Sequence, residues 1–187
     1  MGSYDSISLW KHTSRTILII ICTAWTIAQY STTATAYLFY SGDGTAHRKI
    51  EQVYNRCLVD SMRSYSVEEE DRIFSECIDK AVERIGGLSF AVLVMGESSG
   101  GNAYNYRNLA AALNGAKRHC DKHDKCSLKA FVINGCIAFG RHDAAGYFGY
   151  GVGATKAAAR REMLTGSNVH SCGPGCKVGV SFCAEPR

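Results

Sequence analysis

The placement of cysteine constrains this chain more than any other feature. Nine cysteines occur among 187 residues, and one of them, Cys22, stands inside an N-terminal segment laid out as an export signal. Lys11 and Arg15 supply positive charge, Ile17 to Ala28 form a compact apolar run, and Ala34-Thr35-Ala36 puts small residues where a signal peptidase reads. Residues 1–36 therefore read as a signal peptide cut before Tyr37. Cleavage leaves eight cysteines: Cys57, Cys77, Cys120, Cys126, Cys136, Cys172, Cys176 and Cys183. An even count in an exported chain predicts a disulfide framework and an oxidising compartment, periplasmic or extracellular. The apolar run of 12 residues is short of the ~20 that span a bilayer. An uncleaved anchor is the alternative, and membrane contact is expected in that case alone.

Composition bounds the rest. With 46% hydrophobic and 20% charged residues, the chain carries enough apolar content for a core and is no disordered polymer. Residues 37–88 hold 7 Lys and Arg against 10 Asp and Glu; residues 89–187 hold 12 against 6. That asymmetry marks two modules, an acidic one and a basic one.

The acidic module, 37–88, reads as a helical hairpin. Ile50, Val53, Tyr54, Cys57 and Leu58 recur at helical spacing, and so do Ile73, Phe74, Cys77, Ile78, Ala81, Val82 and Ile85. Ser66 followed by Glu69 forms a capping-box pattern at the start of the second helix, and Gly86-Gly87 stops it. From Ser89 the sequence repeats an order. One copy runs Phe90-Ala91-Val92-Leu93-Val94, then Tyr104-Asn105-Tyr106, a helix from Leu109 to His119, and a strand from Cys126 to Ile133. The other runs Ile137-Ala138-Phe139, then Tyr147-Phe148-Gly149-Tyr150, a helix from Lys156 to Leu164, and a strand from Cys176 to Phe182. Asn108 and Thr155 take the same helix N-cap slot. Ala110-Ala111-Ala112 and Ala157-Ala158-Ala159 suit helices lying close on a sheet. The fold class that follows is α+β: a helical hairpin, then a duplicated ββαβ domain over 89–187 with antiparallel sheet, stapled by disulfides.

Several of these segments carry a resemblance. The Tyr-rich strand Tyr104-Asn105-Tyr106, the helix ending near Cys120, the strand opened by Cys126, Asn134-Gly135-Cys136, and Gly149-Tyr150-Gly151-Val152-Gly153-Ala154-Thr155 resemble the domain of unknown function 4189 family, found in exported bacterial proteins. The resemblance spans about residues 89–183. It implies fold and compartment. The family carries no general catalytic assignment, so no functional residue transfers.

The chemical candidates are few. Gly96-Glu97-Ser98-Ser99-Gly100 matches the nucleophile-elbow string, which works at a strand-to-helix turn with acid and His downstream. Here it falls between two short strands, as a Ser/Gly-rich hairpin loop does. His119, Cys120, His123 and Cys126 have metal-ligand flavour, but Lys117, Arg118, Lys122 and Lys125 oppose a dication and the compartment favours a disulfide. No metal and no cofactor is expected. Eight cysteines permit 105 pairings; locality and the repeat select Cys57–Cys77, Cys120–Cys126, Cys172–Cys176 and Cys136–Cys183.

The function expected is non-catalytic: a disulfide-stabilised module that binds another protein, of inhibitor, immunity-factor or secreted-effector type. Lys117, Lys122, Lys125, Lys156 and Arg160 are the candidate contacts for an acidic partner surface, joined by Tyr104, Tyr106, Tyr147 and Tyr150. Modest net charge and export argue against nucleic acid. Two rival classes stand beside this reading. One is a small envelope-polymer hydrolase using Glu97 or Asp143 with His142, so that enzymatic activity is left open though disfavoured; the other is a membrane-anchored accessory subunit. The sequence names no partner and no oligomeric state.

Overall fold

The structure, a computed structural model, describes residues 37–187 apart from 121–123, 145 and 167–169. Residues 1–36, with the signal, its cleavage site and Cys22, lie outside the described residues, as do Lys122 and His123. Eleven elements follow in chain order: β1 (Leu38–Ser41), α1 (Gly44–Ser61), α2 (Val67–Val82), β2 (Phe90–Met95), β3 (Gly100–Tyr106), α3 (Leu109–Lys117), β4 (Ser127–Ile133), β5 (Cys136–His142), β6 (Phe148–Gly153), α4 (Lys156–Thr165) and β7 (Cys176–Cys183).

Among the described residues, every helix begins on a short polar side chain that satisfies N–H groups the helix cannot. Asp43 accepts from Thr45 and Ala46, Ser66 from Glu69, Asn108 from Ala111, and Thr155 from Ala158. The capping box at Ser66 is half made: Glu69 turns its carboxylate to Arg72, at 2.7 and 2.9 Å.

The strands form two sheets, ordered β1-β4-β2-β3 and β6-β5-β7. In each, the first strand of a strand–strand–helix–strand run lies between the other two, paired antiparallel to both. One element departs from the sequence reading. The stretch 37–88 is more than a helical hairpin, because Leu38–Ser41 pairs parallel with Ala130–Ile133 and extends the first sheet. The hairpin therefore folds into the same compact unit, Tyr37–Arg187, as the sheets.

Side-chain alternation then sets four layers. Phe90, Val92, Val94 and Phe131 face α1, α2 and α3, while Ala91, Leu93, Met95 and Val132 face Ile137, Tyr150 and Phe182 of the second sheet. The outer face of that sheet, through Cys136 and Ala138, packs on Ala159 and Met163 of α4. The helices lie close because glycine and alanine let them. A Cβ on Gly101 would sit 2.0 Å from the Ala116 carbonyl oxygen of α3, and one on Gly151 would sit 2.5 Å from that of Ala159 in α4. No helix among the described residues is long and apolar enough to cross a membrane.

Four disulfides close the structure: Cys57–Cys77 between α1 and α2, Cys120–Cys126 between the end of α3 and β4, Cys136–Cys183 across β5 and β7, and Cys172–Cys176 before β7. They are the pairs that locality selects. Their sequence separations are 20, 6, 47 and 4. A cross-link stabilises chiefly by restricting the unfolded chain, more for longer loops. Replacing each pair by serine should therefore lower stability by about 4 kcal/mol for Cys136–Cys183, about 3 for Cys57–Cys77 and about 2 for each short loop. Denaturant unfolding of the four double-serine variants checks the order; a larger loss at Cys172–Cys176 than at Cys136–Cys183 would contradict it.

A buried ion pair ties the layers at one point. Asp71 of α2 is 1% exposed and lies 2.7 Å from Lys117 Nζ at the end of α3. It also accepts the Leu128 N–H of β4 at 3.1 Å, and the Tyr37 hydroxyl, at 3.4 Å, precedes β1. Burial pushes the Asp71 carboxyl above its usual range, against the pull of Lys117 and the Leu128 N–H. Lys117→Met should cost about 3–5 kcal/mol near neutral pH, because it strands a buried carboxylate. Asp71 would then bind a proton more tightly folded than unfolded. Stability is therefore retained below the ordinary carboxylate value of 3.8 and lost as pH rises through the folded one. Urea unfolding near pH 4 and pH 7 should show this fall in Lys117→Met, and Asp71→Leu added to it should restore most of the loss at pH 7.

Candidate binding surface

The Gly96–Gly100 turn joins β2 to β3, and its polar groups are already engaged. The Asp124 carboxylate accepts backbone N–H groups from Glu97, Ser98 and Ser99 at 2.9, 2.9 and 2.6 Å, and the hydroxyls of Ser98 and Ser99. The Ser98 N–H, with those of Glu97 and Ser99, holds this carboxyl well below the usual carboxylate range, so it is a weak base for activating Ser98. Cys120, Asp124 and Cys126 put ligand atoms within 4.8 Å of one another, yet both sulfurs are bonded in a disulfide, which denies a metal its thiolates. The carboxylates considered for hydrolysis face different partners. Glu97 shares a hollow with Lys125 and Lys129, whereas Asp143 pairs with Lys177, which holds its carboxyl below the ordinary range. His142 stacks on Tyr147 at 5.2 Å.

The basic residues are not one patch. Lys117 is committed to the buried Asp71 and is no surface contact. Lys125 is exposed beside the β2–β3 turn; Lys156 and Arg160 are exposed on α4. Because α3 and α4 cover opposite outer faces, two sheets separate these groups.

The tyrosines divide as well. Tyr150 is buried between the sheets, stacked on His170 at 4.6 Å, and burial pushes its hydroxyl pKa up. Tyr147 is half exposed, its hydroxyl donating to the Cys172 carbonyl at 3.2 Å. Tyr104 and Tyr106, two apart, should share a face. Asn105 prevents this by adopting φ 62°, where the β2–β3 register slips. Tyr106 then packs against Gly115 of α3, while Tyr104 is 52% exposed and turns toward Phe182 of β7 at 6.1 Å.

That leads to the surface the sequence reading passed over. β7 is an edge of the second sheet, pairing with β5 on one side, and residues 177–180 are exposed along it. Val178 is 37% and Val180 46% exposed. Beside it runs β3, an edge of the first sheet, with Tyr104 between. A cleft of about 240 Å³ opens there, floored by Leu93, Met95, Phe139 and Phe148 and flanked by Val180. Arg160 of α4 donates to Ser181 Oγ at 2.9 Å, which sets a helix cation against the same strand. The signal in the sequence was Val178-Gly179-Val180, two apolar residues around a glycine.

No curated protein and no solved structure matches the chain. The family described as Domain of unknown function (DUF4189) matches residues 89–183, from the residue before β2 to the last residue of β7. On that match, which covers half of its length, the chain belongs to the DUF4189 family.

Proposed function

We propose that this chain is an exported, disulfide-locked binding module that takes an extended, acidic-flanked segment of a partner protein onto the free edge of β7. The observation that carries the proposal is β7 itself. An unpaired strand edge offers a row of N–H and C=O groups whose natural complement is another strand, and exposed alternate side chains give such pairing selectivity. Both ends of β7 are fixed, Cys176 by Cys172 and Cys183 by Cys136. A strand held in place before binding loses less freedom on docking.

Charge selects the partner's flank. From residue 156 to 183 the chain has Lys156, Arg160, Arg161 and Lys177 against the acid Glu162, and since Lys177 is paired with Asp143 the field comes from the three cations of α4. Acidic residues beside the docking strand would meet this field, which chiefly raises the rate of encounter. Export rests on the signal pattern and the four disulfides together. The two runs of one strand–strand–helix–strand order are read as a duplication, of which the second copy acquired the edge.

Three measurements test this. The chain recovered from the envelope or medium should have the intact mass of a polypeptide beginning at Tyr37; retention of residues 1–36 would make it an anchored protein. Immobilised chain should capture a stoichiometric partner that Val178→Lys with Val180→Lys loses, while Met62→Lys with Tyr65→Ser, at the exposed tip between α1 and α2, retains it. Lys156→Glu with Arg160→Glu should slow association about tenfold at low salt and flatten its salt dependence. The opposite pattern, loss at the tip and retention at β7, would move the binding surface to the helical hairpin.

A further inference from the structure

A second cavity, with volume about 750 Å³, lies away from the β7 edge cleft. It opens between the last turn of α2, the start of β2 and the start of α3. Its floor is apolar: Val82, Leu88 and Phe90 are buried, and Ile85 is half-buried. Charged groups of both signs surround it, so its selectivity depends on which of them are already engaged.

Among the described residues, two of the three acids are engaged, and the exposed Glu83 meets only its chain neighbour. Asp79 accepts the Leu109 and Ala110 N–H groups of α3 at 2.6 and 2.9 Å. Glu76 is held by Arg72 through both carboxylate oxygens, at 2.7 and 2.8 Å, and Glu83 lies 3.9 Å from Arg84. The cations differ. Among the described residues, the side chains of Lys80 and Arg107 have no ion-pair or hydrogen-bond partner, although both line the cavity. Arg107 lies two residues after the left-handed Asn105 that splits the tyrosines. The Asn105 side-chain oxygen also accepts the Glu185 N–H at 3.0 Å, and its carbonyl accepts from Arg187, which brings that third cation to the rim.

We propose that this cavity binds a small anionic amphiphile, an alkyl or aryl body on the Val82–Phe90 floor with a carboxylate or phosphate head between Lys80 and Arg107. A hollow of this size with an apolar floor and a few polar groups at its rim has the general form of a small-ligand site. Opposed cations without internal partners are best satisfied by an anion that makes charge-assisted hydrogen bonds to both.

The test uses the full chain and four probes below their micelle concentrations: dodecanoate, dodecyl phosphate, dodecanol and dodecyltrimethylammonium. Binding is followed by amide chemical shifts of Leu88, Phe90, Arg107 and Asn108, which separates this cavity from any apolar site elsewhere. At least one anionic probe should shift those amides, and neither the neutral nor the cationic probe should do so at tenfold higher concentration. Which head binds more tightly distinguishes a carboxylate source from a phosphate source. Lys80→Gln and Arg107→Gln should each weaken the preferred probe about tenfold, with unfolding midpoints unchanged because both side chains are exposed. Equal binding of dodecanol, unchanged affinity in both variants, or no shift with any probe would overturn the proposal. Since Lys80 and Arg107 are not β7 residues, its failure would leave the strand-edge reading standing.

Discussion

Strand β2 is buried on both faces, and the architecture follows from covering them. Phe90, Val92 and Val94 need one apolar layer, and Ala91, Leu93 and Met95 need another. An antiparallel sheet ordinarily leaves a face to water. Here neither face of β2 can be left, so helices close one side and the second sheet closes the other. Fully burying a Val, Leu, Met or Phe side chain is worth about 1.5–3 kcal/mol, and this strand carries five of them. The second sheet is thin, with three strands, and its own outer face must be covered in turn by α4. Glycine makes that possible: along β6, Gly149, Gly151 and Gly153 leave no Cβ between strand and helix or loop.

Much of this was legible in the chain because local rules and tertiary outcome agree. Helical spacing marked α1 and α2, and Ser66, Asn108 and Thr155 are caps whose chemistry is complete within three residues. The cysteine pairs were legible because the helical hairpin and the two like-ordered runs bring near neighbours together. β1 was not, since a four-residue strand acquires its identity from a parallel partner, β4, almost ninety positions later. Lys117 looked like a free cation for the same reason: its partner Asp71 sits in a different helix. The tyrosines failed through a local irregularity. Alternation holds for a regular strand, and one residue in the left-handed region, Asn105, reverses it.

Asn105 and Asp124 show how polar groups fix positions that apolar packing leaves loose. Asp124 fills the concave row of N–H groups in the β2–β3 turn, and the Cys120–Cys126 link holds the loop that carries it. A motif that resembles a nucleophile loop in sequence is thereby an anchored turn. The same string could support catalysis where its N–H groups face a substrate, but here a carboxylate of the chain occupies them.

Comparison of the sheet edges explains why β7 differs from the rest. Edge strands invite pairing, and most proteins blunt them with short length, irregular backbone or cover. Among the described residues, β1 is four residues long. β6 is met by the segment after α4, where the Tyr150 N–H donates to the His170 carbonyl at 3.0 Å. β3 is broken at Asn105, whose carbonyl is taken by Arg187. β7 has eight residues, two exposed valines and a disulfide at each end. It retains two protective devices, the Lys177–Asp143 ion pair and the register slip that leaves Gly179 unopposed between Val178 and Val180. Those devices discourage pairing with a second copy of a flat strand, because a matching partner would have to share the bulge. A strand of different shape faces no such demand, so these devices act against self-association more than against pairing in general.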